Sequence, residues 1–412
     1  MKHLPILSGV VALLIFGVLT TEAQIVWTNI LGGDWSVAAN WDLNRLPNSS
    51  DAVQITTPGT YTVTLHTNAT MASLTVGGAV SGTQTLREGT NKNLTVTTAT
   101  IGSRGVLIMN GGSLSGAFTV ANGGEFDTLT PKAQIGGTGS LNISGGGTVN
   151  LAESLYVYGP ITNAGLITVD ASIYLNNNGT TDLGGIVNQT GGQIVLPGPA
   201  SIVNNSGGHT YVTNQGAIIK GASAQGCTVA ASTIFNMGLI SVQKGVLSLV
   251  CPTLQLQPSS VLNVSINGPN DFTVISIGGN ALLGGTFSLN LNGGYVPSVG
   301  GYFRVLYYSS ASGNFTSFSY LPPVAIWRPV YGPLEMDLIV QPFFALSGSN
   351  LAININGAPG HQAILLTSPI ADAPLTAWTP VATNTFDGTG YLSFASSIDS
   401  SQPHRFFVFR LP

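Results

Sequence analysis

Short runs of alternating apolar and polar residues follow one another along most of the chain. Tyr61, Val63 and Leu65 alternate with threonines, and the pair Leu94 and Val96 repeats this pattern. Clusters of Gly and Asn separate the runs. A period of two predicts β-strands, and frequent Gly and Asn predict tight turns. The pattern therefore predicts an all-β protein, built either from hairpins or from the short coils of a solenoid.

An internal repeat favours the solenoid. Four segments share an Asn, a Gly shortly after it and an apolar strand, and they begin at Asn163, Asn188, Asn214 and Asn236, at intervals of 25, 26 and 22 residues. Coils of about this length stack at a strand spacing of ~4.8 Å in a parallel β-solenoid. We therefore expect the four Asn side chains to stack in one column at one corner. The alternative is a chance repeat in a chain that is rich in Asn and Gly.

The charge content agrees with a stacked fold. Lys and Arg number 12 and Asp and Glu 16, so charged residues make up 7% of the chain, against roughly 25% in an average globular domain. Equivalent residues of a solenoid lie above one another, so columns of like charge would repel. The few scattered basic residues also exclude a nucleic-acid-binding surface, which needs a patch of Lys and Arg. A hydrophobic fraction of 43% excludes a disordered chain.

The first 23 residues have the pattern of a secretory signal peptide. Lys2 precedes an apolar run from about Leu4 to Leu19, and the small residues around Glu22 form a cleavage site before Gln24. The alternative is an uncleaved N-terminal anchor. The apolar run is shorter than the ~20 residues of a spanning helix, so we expect a secreted or cell-surface protein with no membrane span in the mature chain.

The pattern changes twice towards the C-terminus. After about residue 252 the strands lengthen and aromatic residues cluster between Tyr302 and Tyr308. An aromatic layer there would cover the open end of the solenoid, whose free strand edges would otherwise aggregate. After Pro342 a new series of five or six short alternating strands predicts a small antiparallel sandwich. The predicted organisation is a signal peptide (1–23), an N-terminal cap with the first coils (24–80), a solenoid with a wider aromatic-rich end (81–342) and a C-terminal sandwich (343–412).

Three sets of residues carry a resemblance to exported bacterial proteins. The opening resembles the start of many secreted β-helix proteins of environmental bacteria, through Trp27, Gly33–Ser36, Asn40–Trp41, Leu46–Pro47 and Asp51–Ile55. The Asn-x-Gly coils are similar to autotransporter-passenger and haemagglutinin-type repeats. The tail resembles a C-terminal module of such exported proteins, through Gly357–Gly360, Trp378–Ala382, Phe386–Asp387, Gly390 and Arg405–Phe407. The fold class expected is all-β: a right-handed parallel β-solenoid, or β-helix, followed by a small antiparallel β-sandwich.

Catalytic chemistry has little support in the sequence. Hydrolases on this fold need acids on neighbouring coils, and lyases need a basic residue and acids that hold calcium. Glu125 and Asp127 would share one side of a strand, which is typical of a solvated pair. Arg87 and Lys220 are isolated, and His209 lies in a turn. We therefore predict no catalytic residue, no metal site and no cofactor.

Tryptophans and cysteines are the remaining candidates. Trp35, Trp41 and Trp378 could each stack on a sugar ring, although packing in a core is the alternative for all three. Cys227 and Cys251 are 24 residues apart, about one coil, and could therefore form a disulfide. The alternative is a pair of small buried apolar residues.

The sequence thus predicts an exported, non-catalytic structural or adhesion protein. Its expected partners are extracellular polysaccharide or cell-surface components, with no nucleic acid. The alternative function is that of a carbohydrate-active enzyme, of the polysaccharide lyase or hydrolase kind, or of a carbohydrate-binding protein. A cleft with convergent carboxylates or Arg on adjacent coils would distinguish the two.

Overall fold

A computed structural model describes residues 23–176, 184–321, 325–347, 350–357, 359–388, 390–399, 401–402 and 404–411. The predicted signal peptide lies outside these residues, except for Ala23. The chain forms a parallel β-solenoid of about 10 turns, followed by small antiparallel sheets at the C-terminus. The fold class is therefore confirmed as all-β, and the described residues contain no α-helix.

Each coil has three sides because the chain turns two corners between strands and a third before the next coil. One coil consists of Thr148–Leu151, Leu155–Val157 and Pro160–Asn163. The first strand of each coil belongs to a 14-stranded sheet, which we call the middle sheet. The other two belong to a 21-stranded sheet that bends around the corner between them. In the coil that contains Leu94–Ile101, one continuous strand passes this bend, and its alternation changes phase there.

The strands of the middle sheet are Gly33–Asp34, Tyr61–Leu65, Gln84–Glu88, Gly105–Asn110, Glu125–Thr130, Thr148–Leu151, Leu166–Val169, Gln193–Leu196, Ala217–Lys220, Leu239–Val242, Val261–Gly268, Asp271–Phe272, Thr286–Leu291 and Ser317–Leu321. The strands of the bent sheet are Ala23–Val26, Asp51–Ile55, Ala69–Val76, Leu94–Ile101, Ser113–Val120, Ala133–Ile135, Ser140–Ile143, Leu155–Val157, Pro160–Asn163, Ser172–Leu175, Gly185–Asn188, Ser201–Asn204, Tyr211–Asn214, Cys227–Ala230, Thr233–Asn236, Val246–Val250, Thr253–Leu256, Val274–Leu283, Tyr302–Gly313, Ile326–Tyr331 and Glu335–Gln341.

The predicted Asn column is present and fully buried. Asn163 donates to Asn188 (2.8 Å), Asn188 to Asn214 (2.7 Å) and Asn214 to Asn236 (2.7 Å), in each case from Nδ2 to Oδ1. The strands that carry them are paired in parallel and in register. A buried amide needs its hydrogen bonds, and the in-register stack supplies them, so the repeat is a structural feature of the corner.

The last coils end under an antiparallel cap. Tyr302–Gly313 still pairs in parallel with Val274–Leu283, but it pairs antiparallel with Glu335–Gln341, which in turn pairs with Ile326–Tyr331. Phe303 and Trp327 are buried beneath this cap with their ring centroids 5.7 Å apart. The expected aromatic layer over the end of the solenoid is therefore present.

Two antiparallel three-stranded sheets follow Pro342. The first contains Phe343–Ser347, Asn350–Asn356 and Tyr391–Ser397, and the second contains Gln362–Ser368, Thr379–Thr385 and Phe406–Arg410. They share a core that includes Ile353 and Phe394 from the first sheet and Leu365 from the second. A backbone hydrogen bond of 2.9 Å from Val299 N–H to the Asn356 carbonyl joins this unit to the solenoid end. Short 3₁₀ turns occur at Ala38–Asn40 and Leu375–Ala377.

Candidate functional site

The N-terminal tryptophans form a core and offer no platform for a sugar. Trp35 and Trp41 are 3% and 2% exposed, and Trp27 is completely buried. The ring of Trp41 packs edge-on against both others, at centroid distances of 5.1 Å to Trp27 and 4.8 Å to Trp35. Because their faces are covered, the prediction of glycan stacking is wrong for Trp35 and Trp41, and the cap alternative holds.

Trp378 differs from the N-terminal tryptophans because it is only half-buried. It follows the turn Leu375–Ala377, and its indole Nε1 donates to the Ala373 carbonyl at 2.8 Å. This bond fixes the ring at the edge of the C-terminal unit. Glycan stacking on Trp378 stays a prediction.

The two cysteines are both free and buried. In the strand pairing, Cys227 lies beside Leu247, and Ala230 lies beside Val250, the residue before Cys251. The coil is therefore shorter than the interval in sequence between the two cysteines. The two cysteines are thus offset by four positions, roughly 13 Å along a strand, beyond the reach of a disulfide. The disulfide prediction is therefore wrong, and the alternative of buried small residues is correct.

Because both cysteines are buried, their thiols should be unreactive towards alkylating reagents in the native protein. Burial raises the pKa of Cys251 to about 11, and the thiolate is the reactive form. We expect alkylation of the native protein at pH 8 to leave both cysteines unmodified, while alkylation in denaturant without reductant modifies both. Intact mass spectrometry measures the two additions directly. A denatured, unreduced protein that takes up no label would show that the cysteines are joined.

An acid–imidazole pair lies on the outer side of the middle sheet, at its N-terminal end. Asp34 and His66 are 32 residues apart in sequence, but adjacent coils bring Asp34 Oδ2 to 2.5 Å from His66 Nδ1. Hydrogen bonds from the side chain and backbone of Ser36, and then from His66, lower the pKa of Asp34 to about 2. Asp34 is therefore a carboxylate throughout the neutral range, and it fixes the orientation of the imidazole ring.

A surface cleft of about 320 Å³ lies beside this pair, and we call it the Arg87 cleft. Its lining comes from three consecutive coils: Thr64, His66, Arg87, Glu88, Gly89, Thr90 and Asn110. Thr64 and Arg87 are paired neighbours on the outer side of their strands, with Ile108 beyond Arg87. Among the described residues the exposed Arg87 guanidinium has no ion-pair partner, whereas Arg45 and Arg304 are paired with Asp51 and Asp337.

Glu88 is the most unusual residue of the cleft. Its side chain is completely buried, and neither carboxyl oxygen has a hydrogen-bond partner in the part of the chain that the structure describes. It occupies an inward position beside Leu65. Burial raises its pKa to about 9, although the backbone of Asn110 opposes this shift. A carboxylic acid that is neutral at pH 7 therefore lies buried beneath the cleft.

A second acid pair lies further along the same outer side. Asn150 Nδ2 donates to Glu125 Oε1 at 2.6 Å and to Asp127 Oδ1 at 3.0 Å. One side-chain amide thus binds both carboxyl groups of the strand on the preceding coil. Burial raises the pKa of both acids, and the charge of Asp127 raises that of Glu125 further. The expectation of a shared side is correct, but the pair is held by a hydrogen bond and is half-buried. The described residues contain no group of three or more His, Cys, Asp or Glu that could hold a metal ion.

A different side of the solenoid carries two columns of small, uncharged residues, nearly all of them polar, which we call the hydroxyl face. On the bent sheet, Thr75, Thr100, Thr119, Asn142 and Thr162 occupy equivalent outward positions on five consecutive coils. Two positions earlier in each strand, a second column contains Ser73, Thr98, Ala117 and Ser140. Neither column contains a charge. The columns lie roughly 6.7 Å apart, and the coils repeat at ~4.8 Å.

The Arg87 cleft is not apparent from the sequence because its residues lie on three different coils and share no local pattern. Thr64 and Arg87 are one coil apart, and so are Leu65 and Glu88. Aligning the chain by coil length in this region would have placed Arg87 beside Thr64 and close to His66. His209 is exposed in the loop between Ser201–Asn204 and Tyr211–Asn214. Lys220 is buried and donates to the Ser223 carbonyl at 2.6 Å.

No protein-family model matches the chain, and no curated protein matches it significantly. Within the described residues, the structure contains no helix with the length and apolar character needed to span a bilayer.

Proposed function

We propose that this protein is an exported structural or adhesion protein that binds extracellular polysaccharide through its hydroxyl face. The observation that carries the proposal is the regular, uncharged array of hydroxyl and amide groups on five consecutive coils. Thr supplies a hydroxyl that both donates and accepts and a methyl group that contacts the apolar side of a sugar ring. Such a surface suits a neutral polysaccharide, which presents hydroxyl groups at regular intervals.

The solenoid coils form a rigid scaffold for this face. Parallel backbone pairing fixes each coil on the next, so the hydroxyl groups are held in place before they bind. Preorganisation of this kind lowers the entropic cost of binding. Secretion through the N-terminal segment and the likeness to autotransporter and haemagglutinin repeats belong to this proposal, because an adhesion protein acts outside the cell.

The proposal is tested by sedimentation with insoluble cellulose and chitin. We expect the protein to pellet with one of them, and the variant Thr100→Lys to bind about tenfold more weakly, equivalent to roughly 1.4 kcal/mol. Thr62→Lys is the matched control, because Thr62 is an exposed outward residue of the middle sheet. The proposal would be contradicted if the protein pelleted with neither polymer, or if Thr100→Lys and Thr62→Lys weakened binding equally.

One observation supports the alternative function, that of a carbohydrate-active enzyme. Glu125 and Asp127 meet at Asn150, and burial raises the pKa of both. Paired carboxyl groups can serve as acid and base in glycoside hydrolysis. A reducing-end assay on the same polysaccharides separates the two functions. If the protein releases oligosaccharides and Asp127→Asn abolishes the release, the function is hydrolysis and not adhesion. Binding of the polysaccharide without release supports adhesion.

A further inference from the structure

The Arg87 cleft has the features of a binding site for an anion. Arg87 presents a guanidinium whose five N–H donors have no ion-pair partner among the described residues, and its neighbours on the adjacent coils are the neutral residues Thr64 and Ile108. A guanidinium recognises a carboxylate through two parallel hydrogen bonds. An unpaired Arg inside a cleft therefore favours a ligand that carries this group.

The other walls of the cleft supply donors and hydroxyl groups. Thr64 and Thr90 contribute hydroxyls, and Asn110 Nδ2 lies 3.2 Å from Thr90 Oγ1. His66 uses Nδ1 towards Asp34, which leaves Nε2 for a ligand. Asp34 and Asp127 each lie two coils from Arg87 in the same outward column, on opposite sides of it. Asp34 is already engaged by Ser36 and His66, and Asp127 accepts from Asn150.

Glu88 does not oppose an anion in spite of being an acid. Glu88 lies at the floor of the cleft, but its side chain occupies an inward position and is completely buried, with no hydrogen-bond partner in the described structure. Its pKa is raised by burial to about 9, so it is uncharged at neutral pH. The lining therefore combines one unpaired cation with neutral hydroxyl and amide groups, and the uncharged Glu88 lies buried beneath them.

We propose that the Arg87 cleft binds the carboxylate of an acidic sugar, such as the uronate residue of an extracellular polysaccharide. The carboxylate is held by Arg87, and the sugar hydroxyls are held by Thr64, Thr90 and Asn110. Because His66 donates from Nδ1 to Asp34, its Nε2 accepts a hydrogen bond from a further sugar hydroxyl. The site lies on the middle sheet, whereas the hydroxyl face lies on the bent sheet, so the two sites bind independently of each other.

The test is a titration of the full chain with oligogalacturonate at low salt, followed by calorimetry or by ¹H–¹⁵N spectra. We expect saturable binding, no binding of a neutral malto-oligosaccharide of the same length, and weaker binding as the salt concentration rises. Arg87→Gln should weaken binding roughly 10- to 100-fold. Arg104→Gln is the matched control, because Arg104 is an exposed Arg at the opposite end of the neighbouring strand. It should bind like the unmodified protein.

Several results would overturn the site. These are no binding of oligogalacturonate, equal binding of the neutral oligosaccharide, or equal effects of the two Arg substitutions. Displacement by inorganic sulfate as efficiently as by galacturonate would show that the cleft is a general anion site and does not recognise the sugar. Thr100→Lys, which tests the hydroxyl face, should leave oligogalacturonate binding unchanged, so failure of one site is distinguishable from failure of the other. Unchanged thermal unfolding of Arg87→Gln confirms that its loss of binding is not a loss of fold.

Discussion

Replacing Asn188 with alanine is expected to lower the free energy of unfolding by about 2–4 kcal/mol, because the substitution interrupts a fully buried ladder. Asn188 accepts from Asn163 and donates to Asn214, and its Nδ2 also approaches the carbonyls of Gly192 and Ala217 at 3.2 and 3.1 Å. Alanine leaves buried polar atoms of two neighbouring coils without a partner. Urea unfolding followed by far-UV circular dichroism measures the loss.

The control for the ladder is Asn142→Ala. Asn142 is an exposed Asn on an outward position of the same bent sheet, so its removal should change the stability by less than about 0.5 kcal/mol. Equal stabilities of the two variants would show that the ladder is incidental to the stack. A larger loss for Asn142→Ala would place the main corner interaction elsewhere.

The stability of the protein should fall as the pH rises, and Glu88 should be the main cause. The ordinary pKa of 4.5 applies in the unfolded chain, and burial raises the pKa to about 9 in the folded protein. Between these values the folded state holds a proton that the unfolded state releases, so stability present below pH 4.5 is lost as the pH rises towards 9. The slope approaches about 1.4 kcal/mol per pH unit for one proton.

Glu88→Gln should remove this slope, because the amide cannot ionise. The variant is expected to be more stable than the unmodified protein at pH 8 and similar to it at pH 4. Urea unfolding at pH 4, 6 and 8 provides the comparison. Glu153→Gln, which removes one carboxyl group at a half-buried position of a later coil, should keep the slope. An unchanged slope in Glu88→Gln would contradict the assignment of this proton to Glu88.

The architecture was accessible from the sequence because it is periodic. Alternation predicts strands, and the intervals between Asn163, Asn188, Asn214 and Asn236 match the coil closely enough to predict the buried ladder. The same argument failed for Cys227 and Cys251, because coil length varies and an interval of one average coil does not guarantee alignment. Register follows from the strand pairs of each particular coil, and turns of different length shift it.

The candidate site depends on side chains that no local pattern connects. Asp34, His66 and Arg87 lie on three successive coils, and they become neighbours only when the coils are aligned strand by strand. Burial was equally hidden: Glu88 reads as a polar residue at the end of a strand, yet it occupies an inward position. Trp35 and Trp41 were ambiguous for the opposite reason, because their aromatic rings suit both a core and a sugar platform.

The direction of the hydrogen bonds in the solenoid determines how the protein responds to mechanical tension. Bonds between parallel coils point along the stack, and so do the side-chain bonds of the Asn ladder. Each coil contacts only its neighbours. A force that pulls the two ends apart therefore loads the coils in series and releases them one at a time from an end. A solenoid built in this way would extend in steps of one coil under tension, and it would dissipate energy at each step.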